Sequence, residues 1–207
     1  SILISGFFFF GVGLTGTFFL AIQYAAESGW PTVLKRIFEG VAAYLPIGSL
    51  ALIIVLLAGT FHFHHIYHWM DADLYDPASP HYDEIIAHKQ AYLNLPFWWI
   101  RTIAYLAVYI WFTMLFRKRS LMEDELTADP KPFFIKNQTL AAVFLVFFGY
   151  TSVTASWDWI MSIDTHWFST IFGWYIFSGM WISGMVMMTL LVVYLKGKGL
   201  MDFVNDS

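Results

Sequence analysis

Four imidazoles, His62, His64, His65 and His68, crowd into one short stretch that runs on into Trp69 and Asp71. If a helix continues through them, His64 and His68 lie at i,i+4 on one face, with His65 and His68 at i,i+3. Neutral imidazole is the commonest metal ligand, so this spacing can bind an ion. The competing reading is a cap of amphipathic side chains where a helix meets water or a partner subunit. No second compact histidine box follows, so the cap is preferred and no metal is assigned. His81 and His88 fall in a polar loop marked by Asp76-Pro77 and Ser79-Pro80, and His166 stands alone.

A second set of ionisable groups lies between Ser156 and Trp167, where Asp158, Asp164 and His166 are interleaved with Trp157, Trp159 and Trp167. Carboxylates at an apolar boundary hold protons more tightly, and histidine titrates near neutrality. The trio therefore suits proton receipt or relay. The tryptophans are expected as an interfacial belt, and Asp164 or Thr165 as a cap for a following helix. Arg101 interrupts an otherwise apolar run. An arginine there either pairs, with Asp158 or Asp164 within reach, or snorkels to the interface. Glu39 directly precedes another apolar run. It reads as a solvated acid beside Lys35 and Arg36, or as the start of a proton-entry path together with Gln23 and Tyr24.

Composition dictates what must position these groups. Of 207 residues, 58% are hydrophobic, 20% aromatic and only 13% charged, an apolar surplus that a small water-soluble fold could not hide. The same numbers exclude intrinsic disorder. A net charge of −4 with no basic block argues against nucleic-acid binding. The absence of cysteine removes disulfides, thiolate zinc, cysteine-ligated iron–sulfur clusters and covalent c-type haem from this chain.

Five stretches are apolar enough to cross about 30 Å of hydrocarbon, at 1–26, 40–61, 95–116, 137–157 and 167–195. They are too long for membrane strands, so the expected fold is all-α: a polytopic helix bundle forming one membrane domain over 1–207. Pro46 should kink the second segment, and Asn94 with Pro96 should start the third. Small residues Gly173, Ser178, Gly179, Ser183 and Gly184 should let the last helix approach its neighbours, and Phe7 to Phe10 read as lipid-facing or packing surface. The acidic link from Glu123 to Pro132 reads as a solvated loop. The apolar start at Ser1 and the stop at Ser207 lead us to expect a piece of a longer protein.

Alternate connections differ in charge. Nine of the eleven Lys and Arg residues sit after segments one, three and five. All seven histidines and seven of the fifteen acids lie on the other side. The positive-inside rule makes the lysine-rich side cytoplasmic.

The runs Gly29-Trp30-Pro31-Thr32-Val33-Leu34 and Tyr92-Leu93-Asn94-Leu95-Pro96-Phe97, and above all the stretch from Ser156 to Thr170, resemble the ActF-type membrane subunits of bacterial alternative complex III. These belong with the NrfD-like quinone-interacting proteins. The closing Tyr194-Leu195-Lys196 and Val204-Asn205-Asp206-Ser207 fit as well. The resemblance implies a subunit of about ten helices, with this chain its first half, in a respiratory quinol:cytochrome c oxidoreductase of a bacterial inner membrane. It implies a quinone as non-covalent ligand, with haem c and iron–sulfur clusters carried by periplasmic partner subunits. An ActC-like membrane subunit and a terminal oxidase would be its neighbours. The chain would act within an oxidoreductase complex rather than as an enzyme alone. Asp158, Asp164 and His166 are the residues expected to handle protons, with Arg101 setting their charge state. Two other classes remain open, a desaturase-like di-metal oxygenase and a non-catalytic assembly subunit.

Overall fold

The structure, a computed structural model, describes residues 2–124 and 131–201. The expected start at Ser1, the middle of the 123–132 link and the closing Val204–Ser207 lie outside the described residues. Among the described residues there are seven α-helices: α1 Ile2–Ala25, α2 Lys35–Ala42, α3 Leu45–Thr60, α4 Glu84–His88, α5 Leu95–Asp124, α6 Lys131–Trp159 and α7 Phe172–Gly197. No strand occurs among the described residues. Five spans among the described residues are long and apolar enough to cross a membrane: α1, α2 with α3, α5, α6 and α7. The protein is an all-α, multi-pass membrane bundle.

The spans differ from the sequence expectation mainly at their ends. Pro46 does not kink a continuous helix. It sits in the first turn of α3, where its missing N–H costs nothing, and the preceding span begins as early as Lys35. The joint at Ala43 and Tyr44 keeps right-handed dihedrals, so the two helices act as one crossing. Helix α5 continues past the apolar run through Arg117, Lys118 and Arg119, giving 30 residues and a length of about 45 Å. Its basic end therefore outreaches the hydrocarbon or tilts within it. Asn94 caps its start as expected, accepting the Phe97 N–H at 3.0 Å. Helix α7 begins at Phe172 rather than Trp167, so neither Asp164 nor Thr165 caps it.

Helix α1 is the centre of the bundle and packs against α2, α3, α6 and α7. Close approach explains its glycines. A Cβ on Gly16 would stand 2.8 Å from the Phe38 carbonyl oxygen, and one on Gly184 of α7 would stand 2.4 Å from the Thr15 side chain. Of the small residues expected to pack on α7, Gly173 and Gly184 do so, while Gly179 faces open space and Ser178 is exposed. Phe8 and Phe9 point outward and Phe10 is buried, in line with a mixed lipid-facing and packing role. Aromatic rings fill the core. Trp159 meets Phe7, Phe10 and Tyr105 edge-on, at centroid distances of 5.6–6.3 Å.

The alternation of spans leaves the molecule with two chemically different ends. One carries the 26–34 connection, the end of α5, the start of α6 and the end of α7. The other carries the long 61–94 and short 160–171 connections.

Candidate functional site

Arg101 and Asp158 meet across α5 and α6. The guanidinium donates from Nε to Oδ2 at 2.8 Å and from Nη2 to Oδ1 at 2.7 Å, a bidentate fork. Asp158 is 0% exposed and the Arg101 side chain 11%. The arginine is further held between the Tyr92 and Phe97 rings, 3.9 and 4.2 Å from their centroids, and it donates to the Tyr92 carbonyl. Tyr105 donates its hydroxyl to Asp158 Oδ2 at 3.3 Å. Burial and the Asp158 charge push the Tyr92 phenol well above its usual range. Each charge of the pair stands at the helix end whose dipole opposes it, Arg101 near the start of α5 and Asp158 near the end of α6. Mutual pairing offsets both penalties. Of the two readings of Arg101, pairing holds, and its partner is Asp158, not Asp164.

The tryptophan-rich motif does more than form a belt. A helix end leaves its last carbonyls without intrahelical donors. Here the Trp98 indole and the Ser162 hydroxyl donate to the Asp158 carbonyl, at 2.8 and 2.7 Å. The Tyr67 hydroxyl donates to the Trp159 carbonyl at 2.7 Å, and the Trp159 indole to Thr102. Trp98 and Trp159 are 0% and 1% exposed, which is burial inside protein rather than display at a headgroup layer. This carbonyl capture fixes where the Asp158 carboxylate points.

Asp164 and His166 do not join Asp158. Asp164 is exposed and accepts the His166 backbone N–H, forming a turn. His166 Nε2 instead lies 2.7 Å from Asp83 Oδ2. The other Asp83 oxygen caps α4, accepting from Ile85 and Ile86. The Ile86 N–H first, with His166 adding, holds the Asp83 carboxyl below the usual carboxylate range. Sequence reasoning missed Asp83, although an Asp directly before Glu84 and the apolar pair Ile85-Ile86 is an N-cap signal. The expected proton trio is thus divided between a buried pair and a surface tether joining the 61–94 and 160–171 connections.

At the opposite end Glu39 is not solvated. It is 7% exposed and paired with Arg36 at 2.5 Å, while its Oε1 is buried without a partner. Arg36 also bonds Ser120 and Asp124, and Lys35 pairs with Glu123 at 2.5 Å. Glu39, Thr17 and Thr113 line one narrow void.

Two separate hydroxyl pairs, Thr17–Thr113 and Tyr109–Thr151, lie in the core between the two ends. Thr113 donates to the Tyr109 carbonyl, so Thr17, 2.7 Å away, donates to Thr113. Thr151 donates to the Phe147 carbonyl, so Tyr109 donates to Thr151 at 2.7 Å. Thr154 stands beside Tyr105, which reaches Asp158. The sequence gives no periodic signal for this row, because its members come from α1, α5 and α6.

No protein-family model and no curated protein matches this chain. The functional reading therefore stands on geometry and on the motif resemblance.

The histidine cluster takes a form that the spacing did not predict. Helix α3 ends at Thr60, and His62 adopts a left-handed φ of 58°, so His64 and His68 share no helix face. His64 turns inward against Gly59 and the Val55 carbonyl, 3.0 Å from its Nε2. His62, His65 and Asp71 come together instead. His88 pairs loosely with Glu84 on α4, and His81 lies on the rim of the cleft beside the cluster. A second, mostly apolar cleft of about 420 Å³ lies between the 61–94 and 160–171 connections, lined among others by Tyr92, Leu93, Trp157, Met161, Trp167 and Phe168.

Proposed function

We propose that the chain is a membrane subunit of a respiratory quinol:cytochrome c oxidoreductase of the alternative complex III kind, and that its own task is proton transfer through the bundle. The motif resemblance supports the complex and its partners. The observation that carries the task is the row of buried hydroxyls between Glu39 and the Arg101–Asp158 pair. Polar groups inside a membrane are costly; Thr113 and Thr151 satisfy theirs on carbonyls of the preceding turn, and Thr17 and Tyr109 reach them across helices.

Quinol oxidation releases two protons and two electrons. A chain without cysteine holds neither iron–sulfur clusters nor covalent haem, so the electrons belong to partner subunits and the protons are what this chain can carry. In this reading quinol oxidation drives the transfer, and the protons moved are taken up by Glu39 from the lysine-rich side, which faces the cytoplasm of a bacterial inner membrane. Tyr109, Thr151, Thr154 and Tyr105 pass them on through hydroxyl reorientation and transient waters. The bidentate Arg101–Asp158 pair closes the far end of this path. Asp164 and His166 stay at the surface as exit groups facing the periplasm, where haem c and iron–sulfur subunits dock. An ActC-like subunit and a terminal oxidase are its membrane neighbours. The apolar cleft beside Tyr92 suits a quinone ring, with aromatic walls and one phenol at its edge. A desaturase-like di-metal oxygenase draws no support from a single histidine cluster lying beyond the helix ends.

The test is the purified complex in liposomes, assayed for quinol:cytochrome c turnover and for protons moved per electron. Glu39→Gln and Tyr109→Phe should keep most electron transfer and lower the proton ratio by half or more. Co-purification should bring haem- and cluster-bearing subunits. Wild-type proton ratios in both variants would leave a purely scaffolding subunit, and purification without redox partners would remove the respiratory assignment.

A further inference from the structure

We infer that the start of the 61–94 connection is a site for a zinc-class divalent cation, held by His62, His65 and Asp71. One ligand atom from each of the three lies within 4.8 Å of the others. His62 Nδ1 stands 3.2 Å from Asp71 Oδ1. Ligands bound to zinc at 2.0–2.1 Å in a tetrahedron are separated by about 3.3 Å, so an ion could replace this direct imidazole–carboxylate contact with little movement of either group. Two imidazoles and a carboxylate form a donor set that first-row divalent ions accept, and the absence of cysteine leaves nitrogen and oxygen as the only strong donors.

The surroundings hold the three groups in place. Helix α3 closes with the His62 N–H on the Gly59 carbonyl and the Phe63 N–H on Ala58, and His62 takes the left-handed conformation that turns its ring outward. This is the usual left-handed residue after a helix end, a conformation that histidine tolerates better than most side chains. His64 wedges inward against Gly59, so its neighbours His62 and His65 stay outside, their ring centroids 6.0 Å apart. Asp71 starts a short 3-10 turn without capping it. Its carboxylate is thus free of backbone donors and faces imidazoles on both oxygens, with His68 Nδ1 3.4 Å from Oδ2. His68 would be the outer partner that orients the ligating carboxylate. The buried Trp69 and Met70 anchor the turn between them. The site opens into a cleft of about 660 Å³, leaving the fourth position to water. A bound ion would clamp the end of α3 to residue 71 and stiffen the connection.

The experiment is Zn²⁺ titration of the full chain in detergent or nanodiscs after chelator treatment, with Co²⁺ as a spectroscopic probe. One equivalent should bind, Co²⁺ should develop the intense visible bands of a tetrahedral site, and amide exchange over 61–71 should slow on binding. His62→Ala, His65→Ala and Asp71→Asn should each weaken binding tenfold or more with unchanged helical circular dichroism, while His88→Gln binds as wild type. Absence of saturable binding in the wild type, or equal affinity in all four variants, would overturn the site. This inference is independent of the respiratory assignment, since binding is read without turnover.

Discussion

At the scale of single residues, the Arg101–Asp158 pair decides most. Removing one partner of a buried pair strands the other charge, at a cost of about 3–5 kcal/mol, whereas replacing both with apolar groups is often nearly neutral. Arg101→Met and Asp158→Asn should therefore each destabilise the bundle by that amount. Arg101→Met with Asp158→Leu should cost clearly less than the sum of the corresponding single changes, measured by unfolding in mixed micelles. Additive losses would mean that the two side chains act separately. Asp83 offers a milder test with a defined sign. Its folded carboxyl titrates below the ordinary aspartate value of about 3.9. The tether's carboxylate contribution is then complete above that value and is lost only as pH falls through the lowered one. Asp83→Asn should raise amide exchange over 83–88 and 164–166 at neutral pH. On Asp83's account, the wild type should reach that looseness only in strong acid.

At the scale of elements, the five crossings were legible because length and apolar content alone define a membrane helix. The helix ends were not. Whether Arg117 to Asp124 continues α5 depends on Lys35 and Arg36 waiting opposite to pair with Glu123 and Asp124, a tertiary fact absent from local sequence. The same limit applies to the site. Arg101 and Asp158 were each conspicuous as charges in apolar surroundings, and their pairing could be named as one of two options. The Asp83–His166 tether spans 83 residues and the hydroxyl row draws on three helices, so neither leaves a periodic trace. Glycines divide in a way only packing reveals. Gly16→Leu drives a side chain into the α2 backbone and should cost about 1–3 kcal/mol or more. Gly149→Ala, with nothing within 4 Å of the new Cβ, should leave stability unchanged or slightly raised. Thermal unfolding in one detergent compares them directly, and similar losses at both positions would contradict the central packing of α1.

At the scale of the whole molecule, the two ends are built from different chemistry. Lysine and arginine on one side are engaged with Glu39, Glu123 and Asp124, while imidazole and aspartate on the other form the tether and the cluster. Helix α7 buries only Gly173, Gly184 and Met188, so most of its surface is turned away from the bundle, toward lipid or neighbouring helices. A subunit that moves protons in one direction needs its ends on defined sides of the membrane, so orientation is the prediction on which the proton reading depends. The positive-inside rule predicts Lys118 on the cytoplasmic side and the 61–94 connection on the other. The chain has no cysteine, so single replacements can be labelled without background. Ala78→Cys and Lys118→Cys are both at exposed positions, at opposite ends of the bundle. A membrane-impermeant maleimide applied to cells with a permeable outer layer should label Ala78→Cys at once and Lys118→Cys only after the inner membrane is breached. The reverse pattern would turn the bundle over, put Glu39 at the outer face, and require any proton flow along the row to be read in the opposite sense.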